Sequence, residues 1–322
     1  MSKILERYKK EFVPRFDKDG IVPYLSYKDF DNLNYFEGEF KNSIGINIAY
    51  FAYYYDNYKK DKFILFTPGI GPGHTAYVRE IERLAKEGYF VLSIDYCGCD
   101  KSEGLAMNSI NEPTRDVLDF IKFIRNTSDE RLNDIKDLEI VLVGHSLGAY
   151  TALNVINLSP DIKKAVIMSG FISLLLELKG ATKIPFGIVF SSITKYEKKA
   201  NKEFYKINNL RYLKNTNDKI LFIHSIDDKI VPYKTSTYKV QKNNKNPNLE
   251  FLIVDGKDHT PHYSSDAVKY MKETFSTYSN LVKENKLNTL EEKQAFMKEK
   301  DLFKMTEPDE EVYKYILAHI EK

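Results

Sequence analysis

The segment VLVGHSLGAY, residues 141–150, decides how this chain is read. Three apolar residues run into Gly144-His145-Ser146-Leu147-Gly148, and a helix-compatible stretch follows. A serine between two glycines, where a strand gives way to a helix, has a steric rationale. The turn is sharp enough that a Cβ at position 144 or 148 would meet neighbouring backbone, and the serine side chain is left exposed at its apex. The Leu147 N–H then faces the space in front of the Ser146 hydroxyl, and the helix N-terminus adds partial positive charge there. With 15 glycines and 19 serines in 322 residues, only about 0.04 Gly-x-Ser-x-Gly matches are expected by chance.

Apolar runs alternate with amphipathic segments on either side of the motif. Strands are expected at Asn34–Phe40, Ile46–Tyr55, Phe63–Phe66, Tyr89–Ile94, Leu138–Val143, Ala165–Met168, Ile220–His224 and Leu249–Val254. Helices are expected over His74–Glu87, Pro113–Asn126 and from the motif to about Leu158. Continuous apolar strands separated by amphipathic helices imply an α/β fold, with a mostly parallel sheet covered by helices on both faces.

Two regions break this rhythm. Some forty residues, about Phe171 to Asp218, separate consecutive strands and carry FISLLLEL and IPFGIVFSSI before the polar KYEKKANKEFYK. A charged, helix-prone tail follows Asn285, with Val312, Ile316 and Ile320 in helical register. The division expected is a core over 1–170 and 219–285, an inserted helical cap over 171–218 and a helical tail over 286–322. The cap is expected to lie over Ser146, with Phe171, Phe186 and Phe190 lining a substrate pocket.

A serine is a weak nucleophile at neutral pH and needs an adjacent base, itself oriented by a carboxylate. In a parallel sheet these groups gather at the C-terminal strand ends, in the chain order Ser, acid, His. Four histidines follow Ser146. His224 ends a strand and is expected to pack or hydrogen-bond locally; His319 lies in the charged tail and is expected to be solvated. His259 and His262 follow the last strand, and His259 is favoured as the base because it is nearer the strand end. The acid belongs after the preceding strand, where Asp227 and Asp228 compete; Asp228 is favoured, and the other has the ordinary role of capping the loop. A metal held by His259 and His262 lacks a visible third ligand.

With GHSLG, PGIGPG (68–73), DYCGCDKSEG (95–104), DDKIVP (227–232) and GKDH (256–259), the chain resembles the α/β-hydrolase-fold serine hydrolases over roughly Tyr35 to Asn285. It is most similar to the monoacylglycerol lipase/lysophospholipase-like and serine aminopeptidase-like groups. The resemblance implies Ser146 as nucleophile, Asp228 as orienting acid, His259 as base, and the backbone N–H groups of Leu147 and Ile70 as oxyanion donors. It implies no metal and no cofactor. Pro68 stands where a histidine is usual, and Cys99-Asp100 where glycine and a small residue are usual.

Composition sets the outer bounds. The chain is 43% hydrophobic and 29% charged, with 48 basic against 46 acidic residues, a net charge of +2. This balance gives no basis for a nucleic-acid partner. No apolar run approaches the ~18 residues of a membrane span. MSKILERYKKEFVPRF has no secretory h-region, and a cytoplasmic location is expected. Cys97 and Cys99, one glycine apart, suit neither a structural zinc site nor an unstrained disulfide.

The activity expected is hydrolysis of a carboxylic ester through an acyl-enzyme, with a small acyl ester or lipid-like molecule as substrate. A serine aminopeptidase-like peptidase or a thioesterase is the alternative, and a catalytically silent binding protein a remote one. Serine rather than aspartate at position 146 argues against haloalkane dehalogenase or epoxide hydrolase chemistry.

Overall fold

The structure is a computed structural model and describes residues 3–18, 20–181 and 191–322. Eight strands form one sheet: β1 (Asn34–Lys41), β2 (Asn47–Tyr54), β3 (Lys62–Thr67), β4 (Phe90–Ile94), β5 (Glu139–His145), β6 (Lys164–Met168), β7 (Lys219–Ser225) and β8 (Leu249–Val254). Their spatial order is β1-β2-β4-β3-β5-β6-β7-β8. β2 pairs antiparallel with β1 and with β4, and every other pairing is parallel. The expected α/β-hydrolase arrangement is therefore present, and each strand lies within a residue or two of its expected position.

The apolar runs are continuous because both sheet faces are buried, and successive side chains serve opposite faces. Phe63 and Leu65 of β3, Ile140 and Leu142 of β5, and Ile220 and Phe222 of β7 belong to one core. Ile64 and Phe66, Val141 and Val143, and Leu221 and Ile223, their chain neighbours, belong to the other. The first core is closed by helices that include α3 (Glu112–Asn126) and α4 (Leu147–Leu158), as well as by Tyr8 of α1 (Lys3–Phe12). The second is closed by α2 (Val78–Ala85) and by residues of the C-terminal helix.

The helix expected over His74–Glu87 is divided: a 3-10 turn over Gly73–Tyr77 precedes α2. His74 gives its backbone N–H and its Nδ1 to Asp95 Oδ1, at 2.9 and 2.8 Å, which ties this first turn to the end of β4. Between β6 and β7 lie α5 (Leu174–Ala181), α6 (Ser191–Ala200) and two short helices, Lys202–Tyr205 and Asn209–Asn215. Glu197 of α6 is fully buried and receives the Tyr8 hydroxyl at 2.6 Å, the Ser109 hydroxyl at 2.6 Å and Asn111 Nδ2 at 3.0 Å. A carboxylate buried among three donors docks the second half of this insertion onto the core.

Beyond β8 come α7 (Ser265–Lys283), α8 (Leu290–Lys298), the short helix Leu302–Met305 and α9 (Glu310–Glu321). Val312, Tyr313, Ile316 and Ile320 of α9 join the second core, so the residues in helical register pack against the sheet. The expectation that His319 is solvated is corrected: it is 1% exposed and meets Glu250 Oε1 at 3.2 Å and the Lys219 carbonyl at 3.3 Å. It faces the sheet because it is adjacent to Ile320 on the packed side of α9, and burial lowers its pKa. At the end of α9, Lys164 Nζ donates to the Ile320 carbonyl at 2.6 Å, Lys219 Nζ to the Lys322 carbonyl at 2.7 Å, and Lys62 Nζ to Glu321 at 3.2 Å. Three strand-start lysines thus complement the negative end of the helix dipole.

Phe222 has no exposed surface, and its ring stacks on Phe251. Phe222→Ala is expected to lower unfolding stability by about 3–5 kcal/mol in urea titrations, the usual cost of a large cavity in a close-packed core.

Candidate active site

Ser146 occupies the turn between β5 and α4 with φ 56 and ψ −119, a left-handed backbone conformation unusual for a residue with a side chain. The flanking glycines are required by contact. A Cβ on Gly144 would lie 2.4 Å from Thr67 Oγ1 and 2.5 Å from the Gly148 carbonyl oxygen. One on Gly148 would lie 1.8 Å from the Thr67 carbonyl oxygen. The turn is therefore pressed against the end of β3, and the loop that leaves β3 passes beside the serine. A Cβ on Gly69 would come within 3.3 Å of Ser146 Cβ. Tyr96 holds this loop through a 2.9 Å bond from its hydroxyl to the Pro68 carbonyl. Ile70 follows Gly69 in this loop and Leu147 follows Ser146, and among the described residues neither N–H has a hydrogen-bond acceptor.

The two competing acids separate cleanly. Asp228 Oδ2 lies 2.9 Å from His259 Nδ1, and its Oδ1 accepts the Ile230 and Val231 N–H groups at 2.9 Å each. Burial would raise this carboxyl, but hydrogen bonds from His224, His259 and Val231 outweigh it and hold the group well below the usual carboxylate range. Asp227 instead accepts the Ser225 hydroxyl and, at 3.1 Å, the Asp258 N–H. It fastens the loop after β7 to the loop after β8, the capping role expected of one of the pair.

The histidines likewise part. His224 is fully buried; its Nδ1 accepts from the Thr237 hydroxyl at 2.9 Å, and its Nε2 donates to the Val231 carbonyl at 2.9 Å. Its Nε2 also lies 3.3 Å from Asp228 Oδ2, so it helps to fix that carboxylate. His262 is buried against Glu80, Nε2 to Oε1 at 3.0 Å, which separates it from any pairing with His259. Among the described residues, no group of three or more His, Cys, Asp or Glu side chains is placed to hold a metal ion. Ser146 Oγ and His259 Nε2 are not joined by a hydrogen bond among the described residues, as is common before substrate binds.

His145, inside the GHSLG motif, was not singled out by sequence. Its Nε2 donates to the His259 carbonyl at 2.8 Å, and its Nδ1 accepts from the Tyr77 hydroxyl at 2.9 Å. The bond to His259 spans 114 positions of sequence and couples the loop after β8 to the serine turn. Burial first, then repulsion from His259 and His262, hold its pKa well below the usual value, consistent with one donating and one accepting nitrogen. Its only sequence signal is its position beside the serine.

Of the three cap aromatics, Phe171 is buried and stacks on Tyr150 of α4 with centroids 4.2 Å apart. Phe186 and Phe190 lie outside the described residues. Glu177 of α5 has a buried Oε2 without a hydrogen-bond partner among the described residues. Burial, then the Asp228 charge, push its carboxyl up to about 8, which places it within electrostatic reach of the site.

The sheet order, the strained serine and the Asp–His pair after β7 and β8 define an α/β-hydrolase. Residues 75–287, well over half of the chain, match the model of the prolyl oligopeptidase family, and the chain belongs to that family. It is a hydrolase. Its fold is similar to that of an esterase from Pyrococcus furiosus, at 21% identity and TM-score 0.58, covering 84% of this chain and 98% of that one. It is similar also to Est1E from Butyrivibrio proteoclasticus bound to ferulic acid, at 17% identity and TM-score 0.56, covering 74% and 99%. An acetyl xylan esterase from Paenibacillus sp. R4 matches at 13% identity and TM-score 0.54, covering 74% and 82%. No protein of curated function matches the chain.

Two substitutions test this arrangement. Gly148→Ala should destabilise the protein by at least ~2 kcal/mol and lower activity, because the contact is with backbone that cannot turn aside. Asp228→Asn should reduce kcat by about 10²–10⁴, whereas Asp227→Asn should alter melting temperature more than turnover. The reverse ranking in steady-state kinetics would assign the orienting acid to Asp227.

Proposed function

We propose that the protein hydrolyses carboxylic esters by acyl transfer to water, with Ser146 as nucleophile, His259 as base and Asp228 as orienting acid. The observation that carries this reading is the 2.9 Å Asp228–His259 bond, placed beside a serine held at φ 56 between two glycines. Asp228 accepts from Nδ1, which leaves Nε2 unprotonated and able to take the Ser146 proton. The serine oxygen attacks the ester carbonyl, and the Leu147 and Ile70 N–H groups bind the oxyanion that forms. The imidazolium returns its proton to the departing alkoxide. Water then repeats the sequence on the acyl-enzyme and releases the acid.

The esterase neighbours support an ester rather than a peptide bond as the target. Residues 171–218 are proposed as a cap, because Glu177 feels the Asp228 charge and Phe171 packs on the helix that starts at Ser146. The apolar side chains of the cap favour a carboxylesterase or monoacyl-lipid hydrolase. A peptidase is the second reading, favoured by the family to which the chain belongs and by Glu177, an unpaired acid able to receive a substrate ammonium group.

Ser146→Ala should abolish ester hydrolysis and fluorophosphonate labelling while leaving thermal unfolding nearly unchanged. Full labelling of the variant would place the reactive serine elsewhere. Against a panel of 4-nitrophenyl esters and aminoacyl anilides, esters should dominate. Selectivity should rise by up to about fourfold per methylene until the pocket fills. Anilides turned over faster than esters would establish the peptidase reading instead.

A further inference from the structure

Two cavities lie between the N-terminal segment and the helices that follow β8. One, of about 220 Å³, reaches Ile70 and His145 at the serine turn. The other, of about 690 Å³, lies between Lys18, residues 20–28, β1, β2 and α8. They share Val22, Pro23, Tyr24, Leu25, Thr75 and Val78, and so form one groove leading away from the oxyanion loop.

The chemistry of the groove changes along its length. Near the serine turn it is lined by Met271, Phe275, Leu302 and Met305, an apolar wall supplied by the C-terminal helices. At the far end Tyr27 and Tyr35 stack with centroids 4.3 Å apart, and four lysines, Lys18, Lys28, Lys101 and Lys298, surround the cavity. No acidic residue is among its described lining. Lys101 is paired with Glu37, and Lys18 lies 4.0 Å from Asp100. Lys28 sits over the Tyr27 ring, and among the described residues neither it nor Lys298 has a carboxylate partner. Tyr53, at 1% exposure, lines the same cavity and has no hydrogen-bond partner for its hydroxyl among the described residues. Among the described residues, two ammonium groups without a carboxylate partner and a phenol without an acceptor thus stand at the end of a mostly apolar channel, the kind of groups an anion on an apolar stem requires.

We propose that this groove binds an ester that carries an anionic group at the end of an apolar chain. Its carbonyl lies at Ser146, and its terminal carboxylate or other anion is held by Lys28, Lys298 and the Tyr53 hydroxyl. The proposal deepens the ester-hydrolase reading and rests on it. It also gives α8 and the Leu302–Met305 helix a part in choosing the substrate.

The test compares mono-4-nitrophenyl esters of linear dicarboxylic acids with 4-nitrophenyl alkanoates of the same length. A second set, acetate esters of ω-hydroxy carboxylic acids against simple alkyl acetates, carries the anion on the alcohol side. In one set, over a limited range of lengths, the anionic ester should exceed its neutral match by about tenfold in kcat/KM, through KM, as expected for two partly exposed charge contacts. The ratio should fall to within about twofold in the Lys28→Ala/Lys298→Ala double variant, and shrink in ~0.5 M salt as screening predicts. Because the readout is a ratio at equal length, a general loss of activity in the variant cancels. Neutral esters matching the anionic ones at every length in both sets, or an advantage that survives the double substitution, would overturn the proposal. If the wild-type protein hydrolyses no ester at all, the hydrolase reading fails instead. The groove is then judged by calorimetric binding of decanedioate to the Ser146→Ala protein: binding weakened by the lysine substitutions sustains it, and absence of binding overturns it.

Discussion

Everything at the candidate site depends on one close approach of backbone to backbone. The first turn of α4 lies so near the end of β3 that position 148 has no room for a Cβ beside the Thr67 and Pro68 carbonyls. Because those carbonyls cannot move without breaking the centre of the sheet, the contact fixes the serine turn and the loop after β3 relative to each other. Ser146, two residues before that contact, has a left-handed conformation and is half-buried. The strain is sustained because eight strands and two apolar cores over-determine the turn.

Around this fixed point the polar groups are arranged by burial as much as by charge. Asp228 is kept ionised by backbone N–H groups and two imidazoles. His145 is kept neutral by desolvation and bridges two loops. Glu177, whose buried Oε2 has no hydrogen-bond partner among the described residues, is pushed towards its protonated form. Three side chains close to one another thus sit in different protonation regimes. The difference follows from how many donors each has, since in a poorly solvated setting an unpaired charge is expensive and a paired one is retained.

Much of this could be read from the chain. Strand positions were legible because strands buried on both faces are unbroken apolar runs, and the serine turn because its glycines answer a steric demand visible in five residues. The preference for His259 over His262 followed from distance to a strand end, whereas Asp228 and Asp227 follow the same strand and that distance does not separate them. What escaped was set by contacts between remote segments. Neither His145 nor His74 has a local pattern that announces its partner: His145 meets a carbonyl 114 residues away, and His74 meets the first residue of another loop. His319 was misread because a charged helix surface says nothing of its opposite side, and only the sheet beneath reveals which ring is covered. The groove towards α8 was invisible for the same reason, since its walls come from both ends of the chain.

The lysines that meet the end of α9 bear on the order in which the chain can assemble. Lys62 and Lys164, at 6% and 5% exposure, begin strands made early in synthesis, yet acceptors for both lie in residues 320–321. A nascent chain that has emerged only to residue 300 has all eight strands but lacks those acceptors. Before residues 320–321 are made, Lys62 has Asp61 and Lys164 has Glu139 as carboxylate partner, and the starts of β3 and β6 gain their remaining acceptors only when α9 docks. The contact of Lys62 with the Ile320 carbonyl spans 258 positions of sequence, so this edge of the sheet is completed by a distant segment rather than strand by strand.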